Sequence, residues 1–141
     1  MRSNFIPYEM KTTYLKIYSY DGRNPLGILE NSYYNKPLYF ENLTALLILI
    51  ETLLDELKNP QRFMEERHFN PENSRKLVEE AFREPPVQGK PMASFKLNIL
   101  FRQNASWQGN LVWQEENAES PFRSALELIM LLDEALLDDK A

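Results

Sequence analysis

The residues best suited to chemistry lie in the segment FRQNASWQGNLVW, residues 101–113. A guanidinium, an amide, a hydroxyl and a second amide alternate along it, at Arg102, Asn104, Ser106 and Gln108. Such groups hydrogen-bond phosphates, carboxylates and base edges, and alternate residues of a strand project from the same face. The pattern therefore indicates either a polar binding surface or a hairpin whose side chains satisfy its own backbone.

Within this segment, NASWQG is similar to half of the signature of the PilZ-type cyclic-di-GMP receptors, N-x-S-x-x-G. The likeness implies an upstream R-x-x-x-R pair that contacts the phosphates and guanines, but Arg62 and Arg67 have a different spacing. A turn in which Asn104 and Ser106 bond to backbone groups explains the same letters. A small-ligand receptor, for example for a nucleotide, that uses the 102–108 turn is therefore the alternative function.

Catalytic and metal-binding groups are scarce elsewhere in the chain. His68 is the only histidine and there is no cysteine, so neither a thiolate nucleophile nor a pair of His or Cys metal ligands is available. Adjacent carboxylates such as Glu65 and Glu66 point apart on a helix or strand. The few glycines form no phosphate-binding loop. We therefore expect a protein that is not an enzyme and that binds neither a cofactor nor a metal.

The composition is typical of one acidic globular domain, residues 1–141, with 43% hydrophobic residues. A formal net charge of −5 gives no general attraction to nucleic acid or to an anionic membrane. The first residues, MRSNFIPYEMK, lack the apolar segment of a signal peptide, and no apolar run approaches the roughly 18 residues that cross a bilayer. We expect a cytoplasmic protein with no nucleic-acid partner and no membrane partner.

Hydrophobic periodicity predicts the elements of the first half. Residues 12–20 and 26–34 are predicted strands on either side of the Asp21–Gly22 turn. Asn42 is placed to cap a helix over residues 43–57, because its side chain can accept a hydrogen bond from the first turn. This half is therefore predicted to have the order strand, strand, helix.

The second half has the same predicted order. Residues 94–102 alternate with a period of two, and residues 107–115 can form the returning strand. Ser124 and Glu127 have the spacing of a capping box, which would open a helix over residues 125–137.

An offset of 82 residues aligns the two halves without a gap, which is typical of an internal duplication. We interpret residues 13–57 and 95–139 as two ββα repeats. They are joined by a connector, 58–94, in which Asn70 and Pro71 are predicted to begin a smaller helix. The identical pairs are Leu15/Leu97, Ile17/Ile99, Gly27/Gly109, Leu29/Leu111, Asn35/Asn117, Phe40/Phe122, Leu46/Leu128, Leu49/Leu131 and Leu54/Leu136.

Strand alternation predicts two chemically different faces for the sheet. Trp107, Leu111 and Trp113 share one face and are expected in the core against the helices. The opposite face is rich in amides and tyrosines, which suit an interface, unless residues 59–92 pack over it. Its members are Tyr14, Lys16, Tyr18, Tyr20, Tyr34, Lys96, Asn98, Arg102, Asn104, Ser106, Gln108, Asn110 and Gln114. The candidate binding residues are Arg102, Asn104, Ser106, Gln108, Tyr18 and Tyr20.

The strings FRQNASWQG, FRSALELIMLLDEAL and PLYFENLTALLILIETLLDEL resemble a small, uncharacterised bacterial family. The resemblance covers nearly the whole chain, including FIPYEM near its start. It implies a compact intracellular protein, and it brings no activity with it.

These observations predict an α+β fold. Its duplicated ββα units form an antiparallel sheet, with two long helices on one face and a smaller connecting helix. The expected function is a non-catalytic interaction or ligand-binding module that self-associates. Its expected partner is a protein, either a second copy or another chain, and a small ligand is the alternative.

Overall fold

The computed structural model describes residues 11–60, 62, 67–70 and 72–138, and its fold is α+β. The strands are β1 Thr13–Ser19, β2 Leu26–Glu30, β3 Leu38–Phe40, β4 Ala93–Phe101, β5 Gln108–Trp113 and β6 Ala118–Phe122. The helices are α1 Leu43–Leu57, α2 Asn73–Ala81 and α3 Ala125–Leu137. The strands form one antiparallel sheet in the order β3-β2-β1-β4-β5-β6, so β1 and β4 pair at its centre. The predicted α+β class and antiparallel sheet are confirmed.

Each half of the chain contains one strand more than the sequence predicted. The order in each half is three strands and then a long helix, because β3 follows β2 and β6 follows β5. β3 has only three residues and β6 contains Pro121, so neither shows the alternation from which a strand is recognised. Both strands lie at an edge of the sheet, where short strands and proline are tolerated.

The two long helices begin and end at the predicted residues. The Asn42 side chain accepts a hydrogen bond from the Ala45 N–H at 2.7 Å, and the Ser124 hydroxyl accepts one from the Glu127 N–H at 3.1 Å. The Glu127 carboxylate accepts from the N–H of Arg123 rather than from that of Ser124, so the predicted capping box forms only in part. Within the described residues, no helix is long and apolar enough to cross a membrane.

The smaller helix α2 begins at Asn73, two residues later than predicted. Asn70 does not cap it directly: its side chain accepts a hydrogen bond from the Glu72 N–H at 3.1 Å, in a turn ahead of the helix. Pro71 lies outside the described residues. α2 packs against α1 and β3, and it contributes the buried residues Val78 and Ala81 to the core.

The core lies against one face of the sheet. Leu15, Ile17 and Phe95 in the two central strands are fully buried, as the period of two predicted. They belong to one cluster with side chains of all three helices, which removes the apolar sides of sheet and helices from water together. Further members are Leu29, Leu38, Phe40, Leu46, Leu49, Ile50, Leu53, Leu97, Trp107, Leu111, Phe122, Leu128, Leu132 and Leu136.

A register shift interrupts each of the two central strands. In β1 it falls between Ile17 and Ser19, and in β4 it falls between Ile99 and Phe101. At each shift the central strand has one residue more than its neighbour, which is the arrangement of a β-bulge. Because side chains alternate between the faces, the extra residue turns the following side chains to the opposite face.

Candidate functional site

Arg102 is buried against α1, and its predicted position on the open face is wrong. Only 3% of the residue is exposed. Its Nε donates a hydrogen bond to the Pro60 carbonyl at 2.6 Å, and its Nη1 lies 2.7 Å from an Asp55 carboxylate oxygen and 3.3 Å from one of Glu51. The bulge in β4 is the physical reason, because the extra residue before Arg102 turns this side chain towards α1.

A second cation and a tryptophan complete this ion-pair cluster. The guanidinium of Arg62 lies 3.2 Å from Asp55 and 3.9 Å from Glu51, so two arginines share two carboxylates. The indole N–H of Trp107 donates to Glu51 at 2.7 Å. The cluster therefore fixes both ends of the β4–β5 turn to α1, and its polar groups are used in holding the fold.

We expect Arg102→Met to lower the free energy of unfolding by about 2–3 kcal/mol. The change keeps most of the side-chain volume but removes charged hydrogen bonds, and it leaves the two carboxylates with one guanidinium fewer. Urea denaturation followed by circular dichroism measures the effect. Arg123→Met is the matched control, since 86% of that side chain is exposed and surface changes stay within about 0.5 kcal/mol. Equal midpoints for the two variants would contradict the structural role of Arg102.

Two of the other three candidate residues of the turn, Ser106 and Gln108, make hydrogen bonds within the protein. Ser106 accepts a hydrogen bond from the Ala125 N–H at 2.8 Å, so it helps to cap α3. Gln108 accepts from the Gln103 N–H at 2.9 Å and donates to the Gln103 carbonyl at 3.0 Å. Asn104 is exposed and has a φ of 56°, a left-handed conformation that asparagine tolerates. The turn thus satisfies its own backbone, which is the structural interpretation of its composition.

Tyr20 is a second correction, because after the β1 bulge its side chain contacts α3 instead of lying on the open face. Its hydroxyl donates to an Asp133 carboxylate oxygen at 2.7 Å on α3, and Arg23 lies 3.0 Å from the same oxygen. Burial, followed by the hydrogen bond to Asp133, raises the pKa of Tyr20 to about 12. The hydrogen bonds from Tyr20 and Arg23 lower the pKa of Asp133. Tyr18 is half-buried within the β1 bulge, so the two tyrosines do not form one surface.

The open face of the sheet is smaller than predicted, because Arg102, Tyr20 and Tyr34 do not lie on it; the Tyr34 hydroxyl donates to a Glu56 carboxylate oxygen on α1 at 2.9 Å. Lys16 and Glu30 form an ion pair of 3.1 Å on it, with more than a third of each side chain exposed. At the β3 end, the guanidinium of Arg83 lies 4.6 Å from the ring centre of Tyr39, which is buried. The connector therefore covers this end of the open face.

Three large apolar side chains are exposed on α3. Leu126, Met130 and Leu137, here called the α3 stripe, are 63%, 59% and 50% exposed. Sequence reasoning missed them, although the segment ALELIMLLDEALL is apolar at every position except Glu127, Asp133 and Glu134. A helix with that composition has more apolar surface than one core can cover. Single exposed apolar residues are ordinary, but these three large side chains lie on one side of the helix and form an apolar patch.

The positions of α1 that align with the α3 stripe have a different composition, and α2 packs against α1. The offset of 82 places Thr44, Ile48 and Asp55 where α3 has its stripe, so only one of the three positions is apolar. Asp55 pairs with Arg102, and Ile48 is half-buried. α2 packs along this part of α1. The position in the fold therefore does not require leucine, and the exposed leucines of α3 call for their own explanation.

A groove lies beside the α3 stripe, at residues that the offset of 82 aligns in sequence with residues near α2. It has a volume of about 420 Å³ and lies between β6 and α3. Its lining residues are Ser120, Pro121, Arg123, Glu127, Met130, Leu131 and Glu134. In the first half, the matching residues Tyr39, Glu41 and Ala45 border Leu77 and Ala81 of α2. Between β6 and α3, the described residues supply no such helix.

A larger open groove, of about 1330 Å³, lies between α1, α2 and the segment 67–70. Cations, carboxylates and amides are mixed along it, among them Arg67, Lys76 and Glu80. The described residues that line it include none of the six predicted binding residues; of the 102–108 turn, Ala105 lines it. It therefore adds no support to a ligand site built from those side chains.

Comparison with known proteins yields no match: no protein-family model, no curated protein and no solved structure matches this chain. The case for a function therefore depends on the geometry of the described residues.

Proposed function

We propose that the protein is a non-catalytic interaction module that self-associates through the outer face of α3. The observation that carries this proposal is the α3 stripe, in which Leu126, Met130 and Leu137 are half or more exposed. Apolar side chains arranged in this way on one side of a helix are typical of helix-on-helix contacts.

The proposal that the protein is not a catalyst is supported by its charged and polar side chains, which bond to one another and to the backbone. Arg102, Glu51 and Asp55 neutralise one another beside α1. Ser106 bonds to the backbone at the start of α3. Catalysis needs groups that converge on substrate rather than on the protein's own backbone and counter-ions.

The expected strength of association follows from the area that the stripe exposes. Fully burying a leucine or methionine side chain contributes about 1.5–3 kcal/mol. Covering the exposed halves of three such side chains on each of two copies contributes about 5–9 kcal/mol, before the cost of association is subtracted. Subtracting the smallest estimate of that cost, about 4 kcal/mol, from the upper value leaves about 5 kcal/mol, so we expect a weak dimer with a Kd of about 0.2 mM.

A duplication of one βββα unit, with both long helices on the same face of the sheet, is the second part of the proposal. The offset of 82 relates the first residues of α1 and α3, the two bulges, and the pairs Ile17–Gly27 and Ile99–Gly109. It also relates two contacts that join opposite halves, Tyr20 to Asp133 and Arg102 to Glu51. Such agreement supports a pseudo-two-fold axis between β1 and β4. An experimental structure whose halves fail to superpose would contradict it.

The decisive measurement for self-association is the mass in solution at rising protein concentration. By light scattering or sedimentation, we expect the mean mass to rise from monomer towards dimer between about 10 µM and 1 mM. Met130→Glu should remove this rise, because it places a charge at the centre of the stripe. Leu100→Glu is the matched control, since Leu100 is 51% exposed at the bulge of β4, away from α3.

The outcomes separate clearly if both variants keep the native far-ultraviolet spectrum. A dimer that is lost in Met130→Glu and kept in Leu100→Glu supports the proposal. A wild-type protein that stays monomeric at 1 mM contradicts it, and a dimer that is lost only in Leu100→Glu moves the interface away from α3.

A further inference from the structure

We propose that a pocket beneath the carboxyl-terminal half of α3 binds a small organic cation that carries one aromatic ring. The pocket has a volume of about 360 Å³ and lies between α3 and strands β4, β5 and β6. None of the three residues of the α3 stripe lines it, so this site goes beyond the self-association proposed above. It is also separate from the 102–108 turn, since no residue of that turn lines it.

The walls of the pocket are aromatic and aliphatic. The rings of Phe95 and Trp113 stack with their centres 6.5 Å apart and with 30° between their planes. Phe95 is fully buried and Trp113 is half-buried, so the indole is the part of this wall that a ligand can reach. Leu131 and Ala135 of α3 supply aliphatic surface. A flat ring packs well against such walls, and a volume near the lower end of the range for small-molecule sites fits one ring.

The charge of the pocket selects a cation. Glu119, Glu134 and Asp138 line it, and its described lining residues include no lysine, arginine or histidine. Asp138 is also the C-cap of α3, and the carboxyl end of a helix favours cations. An ammonium group is therefore attracted both by Glu134 and by the face of the Trp113 indole, the strongest cation–π partner among the side chains. An anion would be repelled by the same carboxylates.

The first half of the chain contains a ring that makes contacts of this kind. The Tyr34 ring packs against the core, and its hydroxyl donates to a Glu56 carboxylate oxygen at 2.9 Å. The offset of 82 aligns Tyr34 with the exposed Glu116, so the second half has no ring at the aligned position. Trp113, which aligns with Asn31, forms the pocket wall instead. The aligned pairs around the two places are Leu29/Leu111, Leu49/Leu131, Leu53/Ala135 and Glu56/Asp138.

Titration followed by NMR spectroscopy tests the proposal, because the two indole N–H groups give separate signals. Phenethylammonium is the probe; phenylacetate has the same ring with the opposite charge, and ethylammonium has the charge without the ring. In the isotope-labelled full-length protein, we expect the probe to shift the Trp113 indole signal saturably, with a Kd of about 1 mM. Both control compounds should bind at least about tenfold more weakly.

The other tryptophan is an internal control. The Trp107 indole N–H donates to Glu51 on α1, and Trp107 does not line the pocket, so its signal should keep its position. The Trp107→Phe variant, which lacks this signal, assigns the two resonances. A probe that shifts the Trp107 signal and leaves that of Trp113 in place would overturn the site.

Two variants with the same change in charge locate the ammonium group. Glu134→Gln removes a carboxylate that lines the pocket, and we expect it to weaken binding of the probe about threefold, as for an exposed ion pair. Glu79→Gln removes the same charge at an exposed position of α2 and should leave the Kd unchanged. Equal affinities of the two variants would overturn the contact with Glu134.

The remaining outcomes decide the site and its selectivity. A saturable shift with phenethylammonium, weakened in Glu134→Gln only, supports the proposal. The absence of any shift of the Trp113 signal at about ten times the expected Kd would overturn the site. Phenylacetate that binds as tightly as the probe would overturn the selection of a cation. The mass of the ligand-free samples is measured separately, so a failure of this site and a failure of self-association are distinguished.

Discussion

Replacing Trp107 with alanine should lower the free energy of unfolding by about 3–5 kcal/mol. The ring is 6% exposed and belongs to the core cluster, so its removal leaves a cavity between the β4–β5 turn and α1. The change also removes the donor that bonds to Glu51 at 2.7 Å. Urea denaturation followed by far-ultraviolet circular dichroism measures the loss.

Two further variants separate the cavity from the hydrogen bond. Trp107→Phe keeps most of the apolar volume and loses the indole donor, so we expect a cost of about 1–2 kcal/mol. Trp113→Ala should cost less than Trp107→Ala, because Trp113 is only half-buried, with its ring centre 6.5 Å from that of Phe95. Quenching of the Trp107 fluorescence by iodide in the native protein would place this ring at the surface and contradict the assignment.

Gly109→Ala should destabilise the protein by about 3 kcal/mol or more, an effect of overpacking at the backbone. A Cβ at this position would overlap with the carbonyl oxygen of Asn98 and would lie 2.9 Å from its carbonyl carbon. Strands β4 and β5 would have to separate, because backbone atoms cannot rotate away as a flexible side chain can. The measurement is the urea midpoint.

Gly27 provides an internal repeat of this experiment. A Cβ there would overlap with the carbonyl oxygen of Lys16 in the corresponding bulge, so Gly27→Ala should cost a similar amount. Glu119→Ala, at an exposed position of β6, is the control and should change stability by no more than about 0.5 kcal/mol. A tolerated Gly109→Ala would mean that the two strands do not approach so closely.

The polar segment 101–113 is thus largely explained by the fold. Its glycine permits a close backbone approach, and its serine and Gln108 satisfy neighbouring backbone groups. Arg102 and Trp107 anchor the turn to Glu51. The apolar surface that the fold leaves uncovered lies on α3, at a position that the composition of the turn did not indicate.

The sequence by itself determined the elements with strong local signals. The bounds of α1 and α3 follow from apolar periodicity and from the caps Asn42 and Ser124. Strands β1, β2, β4 and β5 and the α+β class follow from strand composition, turn signals and alternation, and the buried face of β1 and β4 follows from alternation. These features depend on interactions within a few residues, which a local pattern records.

Only the tertiary structure decided which side chains reach each face and which remain uncovered. The two bulges turn Tyr20 and Arg102 towards the helices, and a bulge depends on how two strands pair rather than on either strand's own pattern. β3 and β6 exist because the sheet edges accept short segments that show no periodicity of their own. The exposure of the α3 stripe also depends on how the elements pack against one another. α1 and α3 are both rich in leucine, but α2 packs against α1 and β3, so the stripe on α3 stays exposed.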